Sequence, residues 1–544
     1  MIKRQVLCLS LAAVTLACGG VDSSVLPGED AAPGADGSVV GVDGGLADGS
    51  TKADSAFGGP SICTTMEPVV MAPATMGGAV AVTVDLAAGG CVIAPDFAGS
   101  NYEAFPGWGA DTSMSAFQRD AFANAGTQLF RFPGGEPAEW FDLLMTGKCA
   151  DNSNSNWNSP AYAALWSFAQ SANVHSLMLQ TNPTPQYCGT GSQDSSGSRA
   201  AALANDVKAH QVKAVYEIGN EPDISKYFGA NGGQSAYIDK FIEQANAIHG
   251  VDPAAEVYGP ATCGLGANCS FPASWDSGWI GAFLGRTGNL AAGPGKGSAS
   301  GVSFHVYWHP EWGYSDLKEA KVDKYGFALY WENTVTPYLR AQIAKYDSRP
   351  LPIVISEISV GNGIANDASQ AQNAFTVLET LDIVGAFARS GLRSFQWFDA
   401  NAAGPSDYWM MTNTQARPIY YSFALWSHMG TVALDAAANV AAHDVASYAT
   451  RKDDGSLQVL LVNKTSSSHD VTLTFKGANV AGRKLVVHTV APGTPGSDTS
   501  VSILYDGVAD PAPSALPAGT STPAPASPVL SLPAYSAAVA LFSP

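Results

Sequence analysis

The sequence predicts an α/β protein, a (β/α)8 TIM barrel followed by a C-terminal β-sandwich. Three observations predict it. Between Phe97 and Asn401, eight short apolar runs rich in β-prone residues each end in a polar or Gly/Pro-rich turn. Several helix-like stretches separate these runs, so strand and helix alternate as they do in a parallel barrel. After about Ala416 the helical stretches thin out, and strand-like runs divided by Gly, Asp, Ser and Pro take over. A doubly wound open sheet is the structural alternative, but no GxGxxG or Walker pattern supports a nucleotide-binding form of it.

In chain order, residues 1–18 read as a lipoprotein-type export signal. Lys3 and Arg4 are basic, Val6 to Leu16 is apolar, and Ala17-Cys18 is a small-residue cleavage point. The apolar run is shorter than the ~20 residues a spanning helix needs. Thr15-Leu16-Ala17-Cys18 resembles a bacterial lipobox, although Thr15 stands where that motif prefers Leu. A lipid on Cys18 is therefore the one expected contact with a membrane, at the cell surface or outer membrane, with unanchored secretion as the rival. Residues 19–60 hold seven acidic residues against the single Lys52 and show no apolar period, which predicts a disordered, self-repelling tether. Residues 61–95 contain the alternating Val80, Val82 and Val84, expected to add strands to the sandwich.

The eight runs over residues 96–415 are Phe97 to Glu103, Gln128 to Gly135, His175 to Asn182, Lys213 to Asp223, Glu256 to Cys263, Val302 to Pro310, Ile353 to Val360 and Ser394 to Asn401. Over residues 416–544, sandwich strands are expected at Val445 to Ala449, Leu457 to Asn463, Val471 to Phe475, Lys484 to Val490 and Ser536 to Phe542. Pro511 to Pro528 reads as a Pro/Ala/Ser-rich loop. Beyond Cys8 and Cys18, six cysteines remain, an even number that suits disulfides in an oxidising compartment. Cys263 with Cys269, Cys149 with Cys188, and Cys63 with Cys91 are the pairings considered, although connectivity is not readable from sequence. No cluster has the spacing of a structural zinc site.

Composition excludes whole classes of partner. The chain has 544 residues, 46% hydrophobic and 14% charged, with a net charge of −19, the profile of a folded protein with a weakly charged surface. So negative a chain lacks the basic patches nucleic acid requires. Twelve Trp and 19 Tyr fill cores, and they also supply flat apolar faces with polar edges, suited to sugar rings.

Two carboxylates stand out. Glu221, in Ile218-Gly219-Asn220-Glu221-Pro222-Asp223, and Glu357, in Val354-Ile355-Ser356-Glu357-Ile358-Ser359, each close an apolar run at the expected C-terminal end of a barrel strand. Burial begins there, so an acid is costly in a purely structural role. Placed on strands four and seven, the pair resembles the signature of the clan A retaining (β/α)8 glycoside hydrolases. The Glu217 to Asp223 stretch looks most like the β-glucuronidase/heparanase-like family 79. Phe130 to Gly135 is similar to that family and to arabinofuranosidase-type families, and Leu532-Pro533-Ala534-Tyr535-Ser536 to the last sandwich strand of several clan members.

The resemblance implies an enzyme that cleaves glycosidic bonds of plant-type or other polysaccharides, with Glu221 as acid/base and Glu357 as nucleophile; a monomer without cofactor or metal is expected. An exo-acting β-glucuronidase is the alternative within that class, and a non-catalytic glycan-binding lipoprotein the alternative outside it. Arg131 on strand two is expected beside Glu357, keeping it charged, with a plain barrel ion pair as rival. Asn220 is expected to bind a sugar 2-OH, with a turn-forming role as rival. His305 and Tyr307 share one face of strand six by alternation, and one of them is a candidate to hydrogen-bond Glu357; a core aromatic pair is the rival. Trp397 is a candidate sugar platform with a cis peptide before Phe398, against a barrel-packing role. Glu103 is a candidate substrate ligand, against a loop ion pair.

Overall fold

The computed structural model describes residues 79–87, 90–102, 115–135, 138, 165–166, 174–184, 196–224, 228, 233–264, 278–307, 326–359, 372–400, 409–412 and 414–544. All of them lie within the compact unit 55–544. The export signal, the tether, Glu103, and Cys63, Cys149, Cys188 and Cys269 fall outside the described residues. Cys91 and Cys263 are disulfide-bonded, so their pairings fall outside as well. Among the described residues no helix is long and apolar enough to cross a membrane.

Eight parallel strands close into a barrel, the last pairing with the first. They are Ala98–Asn101, Leu129–Phe132, Ser176–Thr181, Ala214–Ile218, Val257–Thr262, Gly301–Tyr307, Ile353–Ser359 and Ser394–Trp397. Each described crossover that is helical returns the chain to the N-terminal end of the next strand, leaving the C-terminal ends free for a site. The helix Ala116–Asn124 starts with a reciprocal capping box between Ser115 and Gln118, and Ala374–Arg389 with one between Asn373 and Thr376. Such caps satisfy amide donors that the first helical turn leaves unpaired.

The helix Pro418–Trp426 follows strand eight and packs on Ala374–Arg389 and on the sandwich strands Lys484–Pro492 and Ser536–Ser543. The sandwich strands that follow this helix start at Val432. The sandwich is a mostly antiparallel set of twelve strands, and Val80–Asp85 lies in it between Val432–Ala438 and His469–Lys476. Val432–Ala438 escaped the sequence because four of its seven residues are Ala, a weak strand former held here by pairing on both edges. Thr520–Pro523 is a strand inside the stretch expected to be loop; all four residues are exposed, so no apolar alternation marks it, and its ladder to Lys484–Pro492 holds it.

Strand Leu457–Asn463 shows how the two parts are joined. It is buried along its whole length, yet its side chains alternate between two cores. Leu457, Val459 and Leu461 enter the sandwich interior, while Leu460 and Val462 join the apolar mass that continues into the barrel helices. Each such side chain is worth about 1.5–3 kcal/mol relative to exposure. Facing it, Ala374–Arg389 is buried from Ala374 through Ala388. At that junction Arg389 donates to both oxygens of Glu332 at 2.7 and 2.6 Å, and Asp382 accepts from Lys464 at 2.5 Å and Tyr448 at 2.7 Å.

Candidate active site

Strand alternation builds the site in layers. Leu129, Met178, Val215, Tyr258 and Val354 form an apolar cluster inside the barrel. Two residues further along their strands, Arg131, Gln180 and Glu217 form a polar layer above it. Arg131 is wholly buried and fully engaged. Its Nε donates to Glu217 at 2.6 Å, Nη1 to Glu357 at 2.6 Å and to Asn101 at 2.9 Å, and Nη2 to Asn220 at 2.9 Å.

A β-bulge brings each principal carboxylate into line. Along strand seven, Ile353, Ile355 and Ile358 face the helices while Val354 faces inward, so strict alternation would turn Glu357 outward. An extra residue in strand seven relative to both neighbours, with Phe304 opposite Ile355 and His305 opposite Glu357, resets the phase. Bulges re-aim side chains in this way. Asn101 Nδ2 donates to the Ser356 carbonyl at 3.0 Å, tying down the irregular segment.

The second bulge is in strand five, where Ala261 is the extra residue and adopts a left-handed φ of 53°. Its carbonyl accepts from Glu221 N at 2.8 Å. On the Glu221 side, Gly219 turns the chain at φ 84°, with Pro183 and Tyr237 too close for a side chain to fit easily. Gly219 N reaches Thr181 O at 2.9 Å and Tyr237 Oη donates to Ile218 O at 2.6 Å. Glu221 itself sits at φ 41°, a conformation unfavourable for Glu and typical of strain held at a working site.

One oxygen of Glu221, one of Glu357 and a ring nitrogen of His305 all lie within 4.8 Å of one another. Burial pushes the Glu221 carboxyl up to about 7, against the pull of Arg131, although its side chain stays 20% exposed. Burial pushes Asp223, two residues on, up to about 8, and the charge of Glu221 adds to the effect. Burial also takes His305 down to about 4, so its ring is neutral near pH 7. Arg131 Nη2 lies 3.4 Å from His305 Nε2 and can only donate. Nε2 therefore accepts, Nδ1 carries the proton, and Nδ1–H donates to Glu221 Oε1 at 2.8 Å. The acidic proton of Glu221 is left to its other oxygen, Oε2.

The structure brings Glu221, Glu357, Arg131, Asn220, His305 and Tyr307 together. Tyr307 Oη donates to Glu357 Oε2, and Asn220 Oδ1 is occupied by Arg131. Trp397 does not join them. Ser394 and Gln396 take the inward positions of strand eight, so Trp397 faces the helices, 2% exposed and edge-on to Phe423 at 5.9 Å. The packing role holds for it, and among the described residues Phe398 is an aromatic beside the site, 6.1 Å from Tyr307. The cis peptide likewise falls one bond later than expected, at Phe398–Asp399. Strand pairing persists through Phe398 N, which bonds to Ile358 O at 2.9 Å.

Two buried partners of Arg131 went unread in the sequence. Glu217 and Asn101 looked like ordinary strand residues, and nothing local marks their partners. The strand-five bulge did leave a trace, since Pro260 in mid-strand is a known mark of one.

Glu221, His305 and Glu357 have donor atoms suited to a metal ion. The guanidinium at 2.6 Å from Glu357 and 3.4 Å from His305 already supplies the positive charge a dication would bring, so the set does not fit one.

No protein-family model and no curated protein sequence matches the chain. Solved structures do match in fold. The chain is similar to a glycoside hydrolase family 51 arabinofuranosidase from Xanthomonas axonopodis pv. citri, at 15% identity and a TM-score of 0.61, covering 86% of this chain and all of that one. An α-L-arabinofuranosidase from Thermotoga maritima, in an arabinose complex, matches at 12% identity and a TM-score of 0.60, again over 86% of this chain and all of that one. A family 44 endoglucanase from Clostridium thermocellum matches at 15% and 0.57, covering 85% of this chain and 99% of that one. These likenesses establish a shared architecture, the (β/α)8 barrel with C-terminal β-sandwich, and none of the three is described as a family 79 protein.

Proposed function

We propose that the protein is a retaining glycoside hydrolase in which Glu357 is the nucleophile and Glu221 the acid/base. The observation that carries this reading is the approach of the two carboxyl groups, with oxygens within 4.8 Å across the barrel mouth. Retaining enzymes hold theirs about 5–5.5 Å apart, and inverting ones leave room for a water at about 6.5–9.5 Å. The difference between the two environments supports the same roles. Glu221 keeps its proton up to about 7, as an acid must, while Glu357 lies against a guanidinium and a tyrosine hydroxyl.

In the first step a Glu357 oxygen bonds to the anomeric carbon, the bond to the leaving oxygen breaks, and that oxygen takes the proton from Glu221. Water then attacks the anomeric carbon, gives its proton to Glu221, and Glu357 departs as carboxylate. Phe398 is the candidate platform for the sugar. Among the described residues, Arg131 is wholly committed to protein partners and offers no donor to a uronate, and on that ground we favour neutral sugars of plant-type polysaccharides over a terminal glucuronide. The structural neighbours described as arabinofuranosidases and endoglucanases point the same way. We further propose export through residues 1–18 and a lipid on Cys18, with the enzyme acting as a monomer at the cell surface.

A panel of aryl glycosides, including an arabinofuranoside, a glucoside and a glucuronide, tests the reading, with NMR of the first anomer released. Glu357→Ala is expected to lower turnover by ~10⁴-fold or more, and azide to restore product of the opposite anomer. Glu221→Ala should spare the first step on activated substrates. Near-normal activity in both variants refutes the assignment, and wild-type binding of glycans without turnover would mark a glycan-binding lipoprotein instead.

A further inference from the structure

Glu217 has no part in the chemistry above, yet it is the most deeply placed acid of the cluster. Its side chain is 0% exposed, Oε2 meets Arg131 at 2.6 Å, and Oε1 has no hydrogen-bond partner among the described residues. Glu332, by contrast, has both oxygens on Arg389. One arginine thus serves two buried acids, more negative charge than the pairing needs.

Resting on the retaining reading, we propose that Glu217 is a positioning residue of the reaction: it is the counter-ion that keeps buried Arg131 paired when Glu357 loses its charge to the sugar. In the resting site Arg131 faces two carboxylates. As Glu357 becomes an ester and Glu221 gives up its proton, the negative charge moves from Glu357 to Glu221, away from direct contact with Arg131. Without Glu217 the guanidinium would then face a neutral ester in the barrel interior, and an unpaired buried cation is strongly disfavoured. Glu217 also holds Nε and so fixes the plane of the guanidinium, which aims Nη1 at Glu357 and Nη2 at Asn220.

Thermal unfolding of the full chain tests the pairing without any substrate, because Glu357→Gln reproduces the loss of charge. Glu217→Gln and Glu357→Gln each leave Arg131 one carboxylate and should melt within a few degrees of wild type. The double variant should melt on the order of 5 °C or more below the sum of the single shifts. Additive shifts overturn the proposal.

The kinetic arm uses whichever aryl glycoside the wild type cleaves. Glu217→Gln should slow release of the aryl group in the first step by ~10²-fold with KM within about threefold, and Glu217→Asp should recover part of the loss. An unchanged first step beside a coupled double variant makes Glu217 structural only and also overturns the proposal. If Glu357→Ala itself retains turnover, the hydrolase reading fails, while the melting arm still reports on the pairing.

Discussion

At the N-terminal end of the barrel Arg393 lies against Asp96 at 2.7 and 3.1 Å, with Glu256 at 3.8 Å; at the C-terminal end Arg131 lies between Glu217 and Glu357, each at 2.6 Å. Each end sets one arginine against two acids, but the outcomes differ. Ser176 donates to Asp96 at 2.5 Å and Tyr258 to Glu256, so both oxygens of Asp96 hold donors. Burial would raise the Asp96 carboxyl, but Arg393 and Ser176 outweigh it and hold it below its ordinary value. Asp96 therefore stabilises the fold above the ordinary carboxylate range, and loses that effect only as acid protonates it. Lys213 adds to the pull on Asp96, whereas the upper end adds a third acid, Glu221, with no second cation among the described residues, and burial lifts that acid instead. A balanced network fixes a structure, whereas a surplus carboxyl near neutrality is available for proton transfer.

Exchanging each arginine for lysine is the sharpest way to break this contrast. Arg131→Lys should lower kcat by ~10³-fold. Arg393→Lys should leave kcat within about twofold and cost about 1–3 kcal/mol of stability in denaturant titration. Comparable activity losses from both would dissolve the distinction between the two ends. Tyr307→Phe, which strips a donor from Glu357, should cost about 10–100-fold in kcat, the worth of a hydrogen bond to a charged group. In the wild type, kcat/KM should fall about tenfold per pH unit above about 7 as Glu221 loses its proton. That limb should be absent in Glu221→Gln on activated substrates. The smallest effect separates two adjacent aromatics: Phe398→Ala should raise KM about tenfold with little change in melting, whereas Trp397→Phe should lower only the melting temperature.

Much of this arrangement was legible in the sequence, and the gaps have physical causes. Apolar runs revealed all eight barrel strands, and acids at the ends of two of them marked Glu221 and Glu357, because an ionisable group is rarely placed where burial begins. His305 and Tyr307 followed from alternation, which strand six obeys without interruption. Alternation also explains the failures. A bulge adds one residue, and that shift cannot be read from composition; strict phase would have turned Glu357 away from the site. Trp397 and Phe398 differ by one position and so lie on opposite faces. Glu217 was visible as a letter, but its pairing with Arg131 spans 86 positions and depends on barrel closure.

The helix Ala374–Arg389 emerges from the strand that carries Glu357, and its buried faces are shared between barrel and sandwich. Cutting the chain ahead of Val432 would strip one side of that helix to water and expose the paired ions at its C-terminal end. The two parts are therefore not interchangeable modules. A chimera that grafts this barrel onto another carrier has to bring the sandwich strands with it, or redesign the helix that both of them hold.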